Sequence, residues 1–344
     1  MTKRALRVAV SLLLAVVLLA FFLWNVDFAR VGKALEGAHL GWLMAAISLA
    51  LLSYWLRAVR WQLILLPVGR VSHLGAVLAT AIGYAAMTLL PARRGDVVRP
   101  LVLARHERMP VAATLASILT ERIFDLWTVV VFFLVFVVWP PPMAALGEQA
   151  RSTLHVLSLT GWAVGAFLVV GSLVLLAMFS YQERFIDRVT APLGRILPRW
   201  RQPLASFLGH FLDGLKVLRR PRDLAVTLVT SAVLWGVIYW QVHVTLLAFD
   251  LDLPVRVAYL LVTLAVIGLA IPTPGGVGGF HKATQLGLTL FFAVDINLAT
   301  AIAIVYHAIC FVPITIIGLL CLPAAGMSLR EAEAMAASGE VSSP

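Results

Sequence analysis

Three ionisable residues lie inside one strongly apolar run of the sequence. Glu121, Arg122 and Asp125 occur in "TERIFDLW", about ten residues into a run that extends from 112 to 139. A helix rises ~1.5 Å per residue, so these residues would lie near the middle of the run. Glu121 and Asp125 would share one face, and Arg122 would neighbour Asp125. Two interpretations stay open. In the first, Glu121 and Asp125 meet a cationic or hydroxylated headgroup, and Arg122 orients the two carboxylates. In the second, the three residues form an ion-pair cluster that locks helices together.

Two segments rich in glycine, proline and basic residues interrupt other apolar stretches. They read "PARRGDVVR" (91–99) and "PTPGGVGGFHK" (272–282). Glycine permits tight turns, proline withholds an amide donor, and a half-helix N-terminus favours an anion such as a phosphate. We expect Arg99 and Lys282, with the glycine-loop amides, to hold a phosphate; kinks or packing points are the alternative. The candidate binding residues in these segments are Arg94, Asp96, Arg99, Gly275, Gly276, Gly278 and Lys282.

The composition predicts a polytopic membrane protein. Of the 344 residues, 61% are hydrophobic and 13% charged, whereas soluble domains carry about 25% charged residues. The net charge of +10 fits cytoplasmic loops and anionic lipids, so we expect no nucleic-acid partner. The two cysteines, Cys310 and Cys321, lie in the last apolar run and offer neither a disulfide framework nor metal-ligand spacing.

Six apolar runs are long enough to cross about 30 Å of hydrocarbon. They lie near 6–25, 40–62, 112–139, 154–180, 224–249 and 296–323. Two further stretches, 74–91 and 257–271, are short and run into the interrupting segments. If the N-terminus is cytoplasmic and both short stretches enter and leave on one side, 21 of the 27 basic residues are cytoplasmic. This asymmetry predicts cytoplasmic N- and C-termini, with the first broken element on the cytoplasmic side and the second on the outer side.

The two interrupting segments align with each other. The matched pairs are Pro91/Pro274, Gly95/Gly278 and Arg99/Lys282, followed by Ala113-Thr114 with Ala299-Thr300. Downstream, Glu121 falls opposite His307, which with Tyr306 is a candidate for proton relay or headgroup binding, or else a packing residue. Because the copies enter from opposite faces, we predict an all-α polytopic membrane helix bundle: an inverted-topology repeat with two re-entrant broken-helix hairpins.

These patterns predict one transmembrane domain over residues 1–325. Repeat one spans about 40–139 and repeat two about 224–323. The basic segment 181–223 between them either lies amphipathically on the inner leaflet or is a plain cytoplasmic connection. The polar tail 326–344 is expected to be disordered.

Enzyme motifs are absent from the sequence. "RHERMP" lacks the second histidine of a zinc-protease helix, and "GGVGG" lacks the strand and the downstream acid of a dinucleotide site. There is no nucleophile elbow or Walker loop. We therefore expect no catalytic residues, no metal and no cofactor.

The paired blocks resemble those of a known family, over about residues 5–325. "LPARRGDVVRPLVLARHERMPVAATLASILTERIFDLW", "RAVRW" and "PTPGGVGGFHKATQLGLTLFF" with "YHAICFVPITIIGL" are similar to blocks of the lysylphosphatidylglycerol synthase transmembrane-region family, also called flippase-like membrane proteins. The sequence departs from the family at Asp96, where Glu is usual, and at His307, where Arg is frequent. No aminoacyl-transferase domain follows residue 325, so synthase activity is not expected.

The resemblance implies re-entrant hairpins and a lipid translocase of the bacterial cytoplasmic membrane, because the family includes proteins that move aminoacylated phosphatidylglycerol between leaflets and members linked to glycolipid or hopanoid pathways. The implied partners are membrane lipids: anionic or aminoacylated phospholipids, or glycolipids. A homo-oligomer or a lipid-synthesising enzyme is a further possible partner. Two alternatives remain: a non-transporting accessory that presents lipid to an enzyme, and an intramembrane lipid-modifying enzyme.

Overall fold

The computed structural model describes residues 3–90, 95–140, 148–180, 198–213 and 221–338, and over these residues the chain is helical and contains no strand. The helices are α1 (Lys3–Phe22), α2 (Phe28–Glu36), α3 (Leu40–Leu65), α4 (His73–Leu89), α5 (Gly95–Glu107), α6 (Val111–Val138), α7 (Glu148–Ser180), α8 (Pro198–Asp213), α9 (Pro221–Leu247), α10 (Val257–Ala270), α11 (Gly279–Phe292), α12 (Ile296–Ala324) and α13 (Leu329–Ser338). The predicted all-α membrane bundle is confirmed.

Each of the six predicted spans falls on a helix. Four helices, α3, α7, α9 and α12, are long and apolar enough to cross a membrane. Helix α6 has 28 residues but carries Glu121, Arg122 and Asp125 in its middle. In α1 the apolar part is Ala9–Phe22. The long helices therefore form the frame that positions the charged residues of α6.

Two pairs of shorter helices form hairpins within this frame. Helices α4 and α5, of 17 and 13 residues, pack together on either side of 91–94. Helices α10 and α11, of 14 residues each, are joined through a turn at Pro274–Gly276. A 14-residue helix is only ~21 Å long, too short to cross the bilayer. Gly275, with φ of 57°, supplies the left-handed conformation that the second turn requires.

The hairpins enter the bundle from opposite ends. At the open end of the first hairpin the Ser72 hydroxyl donates to Glu107 at 2.5 Å, close to where α6 begins. At the open end of the second hairpin Arg256 donates to the Trp139 carbonyl at 2.8 Å, where α6 ends. Between these ends Thr88 of α4 lies against Gly275. This is the inverted arrangement predicted from the aligned segments.

Each hairpin is closed by two facing glycines. A Cβ added to Gly95, the first residue of α5, would meet the carbonyl oxygen of Gly83 on α4. A Cβ added to Gly268 on α10 would likewise meet the carbonyl oxygen of Gly279, the first residue of α11. Backbones approach this closely only where side chains are absent. The alignment pairs Gly95 with Gly278, whereas in the structure the glycine that makes the corresponding contact is Gly279; Pro91 lies outside the described residues.

The prediction of a disordered tail from residue 326 is wrong for residues 329–338, which form α13. Ser328 and Glu331 cap its start, with the Glu331 carboxylate accepting from the Ser328 amide at 2.6 Å. Ala332 and Met335 are buried against α5 and the end of α12. The i, i+3 spacing of two apolar residues behind a capping box explains why this polar segment folds. Of the connection 181–223, the structure describes α8 and 221–223 only.

The closest packing of α12 on the first hairpin generates a stability prediction. A Cβ added to Gly318 would meet the carbonyl of Ala81 and the side chain of Ala85, whereas one added to Gly236 on α9 would meet nothing. Gly318→Ala should therefore lower the free energy of unfolding by about 1–3 kcal/mol, while Gly236→Ala should leave it unchanged or raise it. Thermal and denaturant unfolding of both variants in detergent tests this; equal behaviour of the two would contradict the packing.

Candidate functional site

A buried ion cluster joins α3, α5 and α6. The Nη2 atom of Arg60 lies 2.7 Å from the Asp125 Oδ1 atom and 3.5 Å from the Glu121 Oε1 atom. The Nη1 atom of Arg99 donates to the same Glu121 oxygen at 2.8 Å. Arg60 and Glu121 are fully buried, and Arg99 and Asp125 are nearly so. We call these four residues, Arg60, Arg99, Glu121 and Asp125, the buried ion cluster.

Hydrogen bonds and aromatic rings support the buried ion cluster. Removing an ion from water costs several kcal/mol, which pairing alone offsets only when the remaining polar atoms are also satisfied. Ser231 accepts from Arg60 at 3.1 Å, and the Trp235 indole donates to Asp125 at 3.0 Å, so α9 is tied in as well. The Arg99 guanidinium lies 4.1 Å from the Trp61 ring centroid, a cation–π contact.

Two further arginines are held less closely by the same carboxylates. Arg57 lies 3.4 Å and Arg122 3.5 Å from the Asp125 Oδ2 atom. Arg122 also lies 3.2 Å from the Asp96 carboxylate. Charge-assisted hydrogen bonds are usually 2.7–2.9 Å long, so Arg57 and Arg122 keep hydrogen-bonding capacity that Asp125 does not take up.

A cavity of about 400 Å³ opens beside these arginines, between the two hairpins. Arg57, Arg122 and Asp125 form one wall, and Gly275 and Gly276 of the second turn form another. The remaining lining is mostly apolar, and α10, α11 and α12 contribute to it Val262, Ala265, Val266, Leu269, Ala270, Phe280, Tyr306, Cys310 and Phe311. The cavity therefore combines a cationic end with an apolar body.

The cavity opens toward the side of the bundle. Its lining includes Leu126 of α6, which is 40% exposed, and Ala270 of α10, which is also exposed. Both residues belong to helices that pack against each other. An amphiphile could place its polar end in the cavity through this opening while its apolar part stays outside.

The structure brings together most of the candidates from the first hairpin and α6. Arg122 and Asp125 line the cavity with Gly275 and Gly276, and Asp96 pairs with Arg122. Glu121 and Arg99 lie behind this wall in the buried ion cluster. The two interpretations of the charged residues on α6 thus apply to different atoms: Glu121 locks helices together, and Arg122 faces the cavity.

Lys282 and Gly278 lie elsewhere, against α1. The Lys282 ammonium donates to Gln285 at 2.7 Å and lies 4.3 Å from the Phe21 ring centroid. A Cβ on Gly278 would meet Leu18. The structure therefore does not bring Lys282 to Arg99, contrary to the expected shared phosphate, because Lys282 leaves α11 on the face that packs against α1.

His307 anchors the second turn. Its Nε2 atom donates to the Gly275 carbonyl at 2.8 Å, and its ring stacks on Phe311 at 4.4 Å between centroids. The His281 ring lies 4.3 Å away. His307 is thus a positioning residue for the cavity wall. Arg94 lies outside the described residues.

Arg57 and Arg60 are site residues that the sequence does not single out, because at the end of the second apolar run they suit interfacial anchors. Helix α3 continues to Leu65, so both arginines lie inside the bundle and face α6. Their i, i+3 spacing, which puts them on one helix face, was the available signal. For the neutral partner Trp235 the sequence carries no comparable signal.

The described residues define a polytopic membrane protein of the all-α class, with a laterally open cavity between two helical hairpins. Residues 8–318 match the family model described as the lysylphosphatidylglycerol synthase TM region, and the chain belongs to that family. It is 25% identical over 334 residues to the UPF0104 membrane protein PH1989 of Pyrococcus horikoshii, covering 90% of this chain and 95% of that protein. It is also 25% identical over 329 residues to Glycosyltransferase AglD of Haloferax volcanii, covering 89% of this chain and 52% of that protein. The resemblance inferred from the paired blocks is confirmed.

The pairing of Arg99 with Glu121 generates a double-mutant prediction. Glu121→Gln or Arg99→Gln alone leaves an uncompensated buried charge and should lower the free energy of unfolding by about 3–5 kcal/mol. Because the double variant removes both charges, its loss should be clearly smaller than the sum of the two.

The exposed pair Arg30 and Asp27, 3.6 Å apart, supplies the control. The same cycle with Arg30→Gln and Asp27→Asn should give a coupling below about 1 kcal/mol. Denaturant unfolding in detergent measures both cycles. Additive losses for Arg99 and Glu121 would mean that their contact contributes nothing to folding.

Proposed function

We propose that this protein is a lipid translocase that carries the polar headgroup of a phospholipid or glycolipid between the two leaflets of a membrane. The observation that carries the proposal is the amphipathic cavity between the hairpins. A headgroup crossing the hydrocarbon needs a polar surface in the middle of the bilayer, and the wall formed by Arg57, Arg122 and Asp125 supplies one. The acyl chains need an apolar path, and the opening beside Leu126 and Ala270 supplies that.

The arrangement of the hairpins favours transport over static binding. Transporters with inverted repeats place their substrate site near the midplane, between broken elements that enter from opposite faces. Here the cavity touches both hairpins, at Tyr84 and Met87 of α4 and at Gly275 of the second turn. Small shifts of one hairpin against the other would expose the cavity to either side in alternation.

The family description, which names the membrane region of a lysylphosphatidylglycerol synthase, supports a lipid substrate without identifying one. One similar protein is named a glycosyltransferase, and this chain matches about half of its length. That likeness supports a second candidate function, in which the chain presents a lipid to a separate transferase and moves nothing by itself. An intramembrane lipid-modifying activity remains the third candidate.

The proposed location is the cytoplasmic membrane of a bacterium, with both chain termini in the cytoplasm. The support for this orientation is the uneven distribution of lysine and arginine between the two sides. In this orientation α13 and the open end of the first hairpin face the cytoplasm, and the open end of the second hairpin faces outward.

A leaflet-resolved assay in proteoliposomes tests the translocase. Ala270→Trp places a large ring at the cavity opening, so it should reduce the rate of labelled-lipid flipping about tenfold or more, which corresponds to a steric barrier of about 1.4 kcal/mol. Ala225→Trp, an exposed residue of α9 outside the cavity lining, is the matched control and should flip lipid at the wild-type rate.

The outcomes separate the candidate functions. If the wild-type protein flips no lipid of any class, the translocase proposal fails, and a transferase that copurifies with the chain would favour the presenting role. If both tryptophan variants flip lipid normally, transport does not use this cavity. A chemically altered lipid product formed by the purified wild-type protein would favour the lipid-modifying enzyme.

A further inference from the structure

The charges around the cavity do not balance. Within the described residues, the cavity wall and the ion pairs behind it contain four arginines and three carboxylates. The arginines are Arg57, Arg60, Arg99 and Arg122, and the carboxylates are Asp96, Glu121 and Asp125. The adjoining segment 91–94, which lies outside the described residues, contains Arg93 and Arg94 and no carboxylate. The described residues of the wall and of the buried ion cluster therefore carry one net positive charge, and a buried excess charge is costly unless an anion accompanies it.

The excess charge belongs to the two arginines at the cavity. Arg60 and Arg99 each hold a carboxylate by a short contact, of 2.7 and 2.8 Å respectively. Arg57 and Arg122 share a single Asp125 oxygen at 3.4 and 3.5 Å. That oxygen therefore accepts weakly from two guanidinium groups, so a better acceptor placed between them would gain contacts without disturbing the inner pairs.

We propose that Arg57 and Arg122 bind the singly charged phosphodiester of a lipid headgroup, which replaces the Asp125 Oδ2 atom as their shared acceptor. The inference rests on the proposed function and names the chemistry of its ligand. A phosphodiester has two unesterified oxygens, one for each guanidinium, and arginine is well suited to such planar, paired recognition. Asp125 keeps its contacts to Arg60 and Trp235 through its other oxygen.

The charge balance selects a phosphodiester over a phosphomonoester or a diphosphate. Within the described residues, Arg57, Arg122 and Asp125 are the charged groups that line the cavity, so one negative charge neutralises this lining, whereas a second would lie among them without a partner. No lysine and no arginine other than Arg57 and Arg122 lines the cavity within the described residues. The remaining lining offers hydroxyls, an amide and apolar groups, which suit a neutral sugar, glycerol or acyl part.

A singly charged phosphodiester occurs in two kinds of lipid. One kind is the glycerophospholipids whose phosphate is esterified to a headgroup, and the other is the polyprenyl lipids whose phosphate is esterified to a sugar. Both present one negative charge between an apolar chain and a polar group. The Arg57–Arg122 pair recognises the charge that they share, and the test below has an arm for each.

The test measures lipid binding by the purified full-length protein in a neutral detergent, by native mass spectrometry. The probes are dioctanoyl phosphatidylglycerol, a ten-carbon isoprenyl phosphoglucose, dioctanoyl phosphatidic acid and dioctanoyl glycerol. At about pH 9 the phosphatidic acid carries nearly two charges, because the second pKa of a phosphate monoester lies below that pH. At least one phosphodiester should bind about tenfold or more tightly than phosphatidic acid and dioctanoyl glycerol, and which of the two does so identifies the kind of lipid.

Substitutions locate the binding site. Arg57→Gln and Arg122→Gln should each weaken phosphodiester binding about 10- to 100-fold, as expected for loss of a hydrogen bond to a charged group. Arg30→Gln, on the exposed helix α2, removes the same charge away from the cavity and should bind as the wild type does. The inner pairs of the buried ion cluster are untouched in these variants, so they should keep the wild-type unfolding midpoint.

Three results would overturn the inference: equal binding of the phosphodiesters and dioctanoyl glycerol, tighter binding of phosphatidic acid, or wild-type affinity in both glutamine variants. If a glutamine variant does not fold, the ranking of the four probes on the wild-type protein still decides the ligand class. Phosphodiester binding without lipid flipping would support this inference and contradict the translocase proposal. Lipid flipping by a protein that binds the four probes equally would support the translocase proposal and contradict this inference.

Discussion

The need to pair charges inside an apolar bundle constrains the rest of this structure. Glu121 and Asp125 extend from the middle of α6, where a bare carboxylate would be very costly. Arg60 from α3 and Arg99 from α5 neutralise them at short distances. Each contact fixes the position of a helix, so the buried ion cluster ties the first hairpin to α3 and α6, while Ser231 and Trp235 add α9. The cavity wall is the outer surface of this cluster.

The second hairpin needs a different kind of stabilisation, because its chain turns back inside the bundle and part of its backbone is not helical. Backbone that is not helical is tolerated at this depth only where protein or water covers it. Gly275 provides the left-handed turn, His307 binds its carbonyl, and α1 covers the far side through Leu18. The Ser11 hydroxyl also donates to the Pro272 carbonyl at 2.7 Å. Uncharged hydrogen bonds and close packing thus hold this turn, whereas ion pairs hold the first hairpin.

The cavity combines two chemically different parts. Arg57 of α3 and Arg122 of α6 contribute the cationic end, and the glycine turn with α10 and α12 contributes much of the apolar part. A lipid headgroup joined to acyl chains has the same division, which is why we propose a lipid as the ligand. In this proposal the long contacts of Asp125 to Arg57 and Arg122 leave both arginines available to an anion, while the inner pairs keep the fold intact.

The sequence by itself determined the class, the spans and the two broken elements, because hydrophobic length, the placement of basic residues and Gly/Pro interruptions are local properties. It also singled out Glu121, Arg122 and Asp125, since charges within an apolar run are conspicuous. Only the tertiary structure decided which charges meet: Arg57 and Arg60 turn inward onto α6, Lys282 turns away onto α1, and Ala332 and Met335 fold the tail onto α5. Such contacts depend on which face of one helix meets another far along the chain, and spacing within a single segment does not encode that choice.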